Sequence, residues 1–82
     1  MSRYYFHLRL VDDRIIADQD GSDLPDAATA RREALAAARQ MLADAIKSGS
    51  DNIPEALVIT DSEGRELETV PIAAVLPKRL TL

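Results

Sequence analysis

Residues 3–10 read RYYFHLRL, and the alternation inside this stretch decides the fold. Because the side chains of a β-strand point to opposite faces in turn, the even positions make one apolar stripe: Tyr4, Phe6, Leu8 and Leu10. A stripe of this kind is typical of a strand that packs on a hydrophobic core. The odd positions form a mixed face: Arg3, Tyr5, His7 and Arg9. The same stretch contains every aromatic side chain and the single histidine of the chain.

The segment after this strand predicts a β-hairpin. We predict strands over 3–11 and 14–18, joined by a tight two-residue turn at Asp12 and Asp13, since Asp tolerates positive φ better than most residues. In this register Ile16 lies opposite Arg9. Both side chains then belong to the outer face, by which we mean the face of the sheet that points away from the helix.

A second hairpin is predicted nearer the C-terminus, with strands over 55–61 and 65–70. The loop between them, SEG, suits a type I turn followed by Gly64 in the left-handed region. This register places Ile59 opposite Leu67 and directs Glu66 and Glu68 to the outer face. Beyond it, 71–76 predicts a short helical turn that begins with a proline, and 77–82 a tail.

Between the hairpins, residues 26–48 predict a long helix. Apolar residues recur there at spacings of three and four, and many are alanines, which let a helix axis come close to a sheet. Asp26 suits the N-cap and Gly49 the left-handed C-cap. The order ββαββ predicts a single α+β domain over 1–82: a four-stranded, mainly antiparallel sheet with one long helix packed on one face. The order of the strands stays open.

Composition narrows the class of function. The chain has 82 residues, a net charge of −4 and a sequence pI near 4.8. This balance counts against binding to a phosphate backbone. The absence of cysteine excludes disulfides, thiolate catalysis and Cys-based zinc sites. No segment approaches the roughly 20 apolar residues of a membrane span, so we expect a cytoplasmic protein that does not enter a membrane.

The residues that carry chemistry form no catalytic or metal-binding pattern. His7 is the only candidate base for a serine nucleophile, and no serine lies in a glycine elbow, so we expect no enzyme. The run DQDG, Asp18–Gly21, is superficially similar to a calcium loop, but Ile16 and Ala27 stand where two oxygen ligands would be needed. Turn formation accounts for these residues, and we expect no metal and no cofactor.

Three motifs together resemble a family of small uncharacterised bacterial proteins, classed as a domain of unknown function. They are RYYFHLR at the start, DGSDLPD followed by EALAAARQML, and TDSEGRELETVPIAAV near the end. The resemblance implies a stand-alone ββαββ domain, and it assigns no catalytic or binding role to any residue of this chain. The first hairpin, the LPD loop and the EAL helix are also similar to the antidote half of HicB-like toxin–antitoxin pairs. The DNA-binding tail of those proteins has no counterpart after the fourth strand.

The run ALVI in the third strand, Ala56–Ile59, is apolar on both faces. A strand of this kind is typically covered on both sides, and one helix covers only one, so the C-terminal segment or a second chain is expected to cover the outer face. We therefore predict a protein-interaction module, a homodimer or the partner of another protein. The expected interaction surface is Arg3, Tyr5, His7, Arg9, Val58, Glu66 and Glu68.

The charges of this surface allow two interpretations. The first hairpin is basic and the second acidic, so two copies of the face would meet with opposite charges in register. Alternatively, the two hairpins pair their charges within one chain. A different class of function, a weak nucleic-acid-binding sheet, would use Tyr5, His7 and Arg9. We regard nucleic acid as the less favoured partner because Glu66 and Glu68 would repel phosphate.

Overall fold

A computed structural model describes residues 1–51 and 53–77 as an antiparallel sheet with one long helix on one face. The predicted α+β fold, with strands before and after the helix, is confirmed. The elements are β1 (Ser2–Arg9), β2 (Ile15–Ile16), β3 (Ser22–Leu24), α1 (Ala27–Ser48), β4 (Ala56–Thr60), β5 (Glu66–Pro71) and a 3₁₀ turn (Ile72–Val75).

The sheet order is β2-β1-β4-β5, with all pairs antiparallel. The order puts β4 between two longer strands, where it is buried along its whole length. A fifth strand, β3, pairs with the first residues of β1, whereas the sequence predicts only a loop there. The segment SDL lacks apolar alternation, and it becomes extended because β1 offers it an unpaired edge.

The first hairpin differs from the prediction by one residue. The turn contains Val11, Asp12 and Asp13 instead of two residues: the Leu10 N–H donates to the Arg14 carbonyl at 2.8 Å, and Asp13 has φ 67. Such a three-residue loop with a left-handed last residue suits the twist of a hairpin. As a result Ile16 lies opposite Leu8, on the helix side, and Ile15 replaces it on the outer face.

The second hairpin contains a β-bulge that the sequence reasoning missed. Glu66 lies opposite Thr60 as predicted, but the register shifts between Ile59 and Thr60, so that Leu67 is the extra residue. Glu68 consequently lies opposite Ile59, on the helix side of the sheet. The prediction that Glu68 belongs to the outer face is therefore wrong, because one inserted residue reverses the face of every later side chain.

The helix lies over only part of the sheet. Three alanines of the helix are fully buried: Ala30, Ala34 and Ala38. They pack with Leu57, Ile59 and Val70 to form the core. The helix contacts mainly β4, β5 and the 3₁₀ turn, so the helix side of β1 and β2 is left partly uncovered. Since the 3₁₀ turn also packs on the helix side, it does not cover the outer face. The predicted tail from Lys78 onward lies outside the described residues.

Candidate functional site

The outer face of β4 is buried within the single chain. Ala56 is fully buried, and Val58 and Thr60 are 8% and 7% exposed. Each of the three lies between two cross-strand neighbours: Ala56 between Arg9 and Pro71, Val58 between His7 and Thr69, and Thr60 between Tyr5 and Glu66. A second chain is therefore not needed to bury this part of the face, whereas the predicted cover by the C-terminal segment lies partly outside the described residues, from Lys78 onward. A central strand with small outward side chains is sheltered by its neighbours in the sheet.

His7 holds the outer face to the loop that follows β2. The Asp18 N–H donates to His7 Nδ1 at 3.0 Å, and His7 Nε2 lies 2.9 Å from Thr60 Oγ1. A backbone N–H is always a donor, so Nδ1 accepts, and in neutral His7 the proton is on Nε2 and is donated to Thr60. Both ring nitrogens thus have structural partners, which makes His7 a structural residue at the centre of the predicted surface.

Asp18 fills a gap in the edge of the sheet. The edge of β1 is paired by β2 and β3 at its two ends, and between them the Asp18 carboxylate accepts the Phe6 N–H at 3.2 Å. The same carboxylate accepts the N–H groups of Asp20 and Gly21. Burial acts to raise the pKa of Asp18, but these three N–H groups, with help from His7, outweigh it and hold the pKa below its usual value.

The aromatic part of the predicted surface is built on a glycine. Tyr5 and His7, both half-buried, have nearly parallel rings, 4° apart in plane with centroids 6.2 Å apart. Gly21 lies under the Tyr5 ring so closely that a Cβ added there would be 2.8 Å from Tyr5 Cε2. Loop 17–21 therefore supports this ring pair, and Gly21 belongs to the site although the sequence indicated only a turn residue.

The charges of the predicted surface are paired locally. Arg3 binds Asp23 through Nε and Nη2 at 3.1 and 3.0 Å. Arg14 binds Asp12 at 2.7 Å, and Arg9 Nε lies 3.6 Å from Glu55. The Glu68 carboxylate binds Arg31 of the helix at 2.9 Å. In residues 1–51 and 53–77 no ion pair joins the first hairpin to Glu66 or Glu68, so the charges of the two hairpins do not pair with each other within the chain.

The structure brings four of the predicted residues together, Tyr5, His7, Arg9 and Val58, side by side on the outer face. It also reveals exposed apolar residues at the β2 edge that the sequence reasoning did not select: Val11 at 80% and Ile15 at 52% exposed. Ile15 lies beside Arg9 and extends the outer face to its edge. The adjacent pair Ile15–Ile16 at the end of a hairpin was the available signal.

A cleft of about 440 Å³ opens on the helix side, between α1 and the strands β1, β2 and β3. Its walls are mainly apolar, and its lining is Phe6, Leu8, Ile16, Ala17, Asp18, Ser22, Leu24, Glu33, Ala37, Met41 and Leu57. The cleft exists because the helix is displaced toward β4 and β5. Sequence reasoning did not predict it, because local pattern does not show where a helix lies over a sheet.

Comparison with known proteins identifies a family. The model of a domain of unknown function, DUF6894, matches residues 3–73. The chain belongs to this family. The DUF6894 match agrees with the resemblance to an uncharacterised domain family, and it spans both hairpins, the helix, the outer face and the cleft. No curated protein and no solved structure matches the chain.

Two negative findings concern the described part of this DUF6894 chain. Within residues 1–51 and 53–77, no helix is long and apolar enough to cross a membrane. In the same residues, no three His, Cys, Asp or Glu side chains are grouped so that they could hold a metal ion.

Proposed function

We propose that this DUF6894 domain is a non-catalytic protein-interaction module that forms a homodimer through its β2 edge and the adjoining outer face. The observation that carries the proposal is Ile15, which is 52% exposed on a strand at the edge of the sheet. Val11, in the turn of the same hairpin, is 80% exposed. Fully burying a side chain of this size stabilises an assembly by about 1.5–3 kcal/mol.

The two edges of the sheet differ in a way that favours β2. Edge strands that stay free are typically protected by charged side chains or proline. The β5 edge has such protection in Glu66, Glu68 and Pro71. The β2 edge presents two isoleucines, and the cation that precedes them in the chain, Arg14, is paired with Asp12. A second copy of the same edge, related by a two-fold axis, is the simplest complementary partner for it.

The test measures mass against concentration by light scattering and sedimentation equilibrium. We expect the wild-type chain to be a dimer at high micromolar concentration and to dissociate on dilution. Ile15→Lys is expected to be monomeric at all concentrations, because a lysine at the edge is both charged and strongly hydrated. Ile46→Lys is the matched control: Ile46 is 64% exposed, but it lies on α1 and does not belong to the β2 edge.

Two results would count against the dimer. One is a wild-type mass that remains monomeric at high micromolar concentration. The other is an equal loss of association in Ile15→Lys and Ile46→Lys, which would indicate that the apolar area matters but the edge does not. Circular dichroism of each variant shows whether the fold is retained.

The nucleic-acid alternative based on Tyr5, His7 and Arg9 stays a prediction, as does an antitoxin-like partner-binding role. Geometry favours neither. The rings that would stack on bases are half-buried, both His7 nitrogens have partners within the chain, and Arg9 lies beside Glu55. A Tyr5→Ala, Arg9→Glu double variant separates the possibilities: loss of low-salt RNA or DNA binding at unchanged mass would support the nucleic-acid alternative.

A further inference from the structure

The cleft between α1 and the β1–β2 side of the sheet has the dimensions of a small-molecule site. Its volume, about 440 Å³, lies within the range of known ligand pockets. One wall is the helix row Glu33, Ala37 and Met41, whose members are four residues apart and so share a face. Ala37 in the middle of that row is small, and its size keeps the cleft open.

The lining of the cleft is mainly apolar, and its only charged residues are acidic. Most lining side chains are hydrocarbon, with Phe6, Leu8 and Leu57 on the floor contributed by β1 and β4. The polar lining residues are Asp18, Ser22 and Glu33, and no Lys, Arg or His is among them. A ligand with a hydrocarbon body and a positive charge matches this lining in both respects.

The two carboxylates have different roles. Asp18 accepts three backbone N–H groups, which fix it as part of the wall while leaving its negative charge in place. Glu33 is exposed, and within residues 1–51 and 53–77 its side chain has no hydrogen bond or ion pair. Glu33 is therefore the group available to pair with a ligand at the mouth of the cleft.

We propose that the cleft binds a small organic cation, a primary amine on an apolar body. The hydrocarbon part lies along Phe6, Leu8 and Met41, where it displaces water from apolar walls. The ammonium group lies at the mouth beside Glu33. The cleft and the proposed dimer surface lie on opposite faces of β2: Ile16 lines the cleft on the helix side, whereas Ile15 belongs to the outer face.

The test is an NMR titration of the full chain with hexylammonium, hexanol and hexanoate, which share one hydrocarbon chain and differ in charge. We expect saturable shifts of Phe6, Leu8 and Met41 signals, with hexylammonium binding about two- to fivefold more tightly than hexanol, the range for an exposed ion pair. Hexanoate is expected to bind most weakly. No saturable shift at the cleft, or equal binding of hexanoate and hexylammonium, would overturn the proposal.

Three variants test whether the ligand binds in the cleft. Ala37→Leu fills the cleft and is expected to abolish binding, whereas Ala43→Leu, on an exposed position of the same helix that does not line the cleft, should leave it unchanged. Glu33→Lys keeps the apolar walls and should reverse the preference toward hexanoate. Because Glu33 is on the surface, this variant reports on the site even if Ala37→Leu fails to fold. Unchanged binding in both Ala37→Leu and Glu33→Lys would also overturn the proposal.

Discussion

At the scale of single residues, polar side chains complete the sheet where strands do not. The Asp18 carboxylate takes the place of a strand opposite Phe6, and the Asp18 N–H in turn fixes His7. Each contact satisfies a backbone or ring group that would otherwise be costly to bury. The position of Tyr5 depends on this loop as well, because its ring lies against Gly21.

Replacing Gly21 by alanine tests that dependence. Gly21 and Gly64 both have positive φ, +70 and +81, but only at Gly21 would a Cβ meet other atoms, Tyr5 Cε2 at 2.8 Å and the Tyr4 carbonyl oxygen at 3.0 Å. Each substitution has a conformational cost of about 1–2 kcal/mol. We expect Gly21→Ala to lower the free energy of unfolding by at least about 1 kcal/mol more than Gly64→Ala, because of the added overlap. Equal effects in urea unfolding would show that Tyr5 can move aside.

At the scale of elements, the position of α1 explains both the core and the cleft. The seam of Ala30, Ala34 and Ala38 lets the helix lie close to β4 and β5 with no space left. Ala37, on the adjacent side of the same helix, borders open volume. One helix therefore has alanines in opposite packing environments only three residues apart.

Leucine substitutions at these two positions should have opposite consequences. The larger side chain introduced by Ala34→Leu has no space between the helix and the sheet, so we expect the free energy of unfolding to fall by about 1–3 kcal/mol. Ala37→Leu extends into the cleft, where it buries apolar area without displacing the helix, so stability should stay within about 1 kcal/mol of wild type or rise. The comparison is made by urea unfolding. Similar destabilisation by both leucines would mean that the cleft is not accessible to a side chain from α1.

At the scale of the whole molecule, the surface ion pairs contribute little to the free energy of unfolding. The carboxylates that accept N–H groups make that free energy depend on pH. The pairs involve side chains that are substantially exposed, and such pairs are typically worth about 0–1 kcal/mol. The pKa of Asp26 is lowered because the Thr29 hydroxyl and N–H donate to its carboxylate. The pKa of Asp61 is lowered chiefly because the Arg65 N–H donates to its carboxylate. Asp18 has a lowered pKa for the reasons given above.

These lowered pKa values predict sensitivity to acid. Folding favours the ionised carboxylates, so their contribution is complete above the ordinary pKa of 3.8 and is lost as pH falls through the lowered values. Urea unfolding from about pH 7 to pH 3 should show stability that falls mainly below about pH 4. Asp18→Asn should be less stable at neutral pH and should show a shallower fall in acid. An unchanged slope in this variant would remove Asp18 from the explanation.

The local sequence pattern was enough to predict part of this architecture. Asp26, Gly49 and the spacing of apolar residues between them indicate the helix, and the alternation from Tyr4 to Leu8 indicates the apolar face of β1. These features depend on interactions within a few residues, hydrogen bonds at helix ends and the period of each element.

Tertiary structure decided the rest, for identifiable reasons. The bulge at Leu67 and the three-residue turn at Asp13 each change a register by one residue, and alternation within a strand does not reveal the count of residues in a turn. These shifts moved Glu68 and Ile16 to the helix side and Ile15 to the exposed edge. The cleft depends on where α1 lies over the sheet, which is set by packing between distant residues. The sequence by itself therefore determined the elements and the α+β class, and only tertiary packing decided which side chains meet at the surfaces proposed to bind.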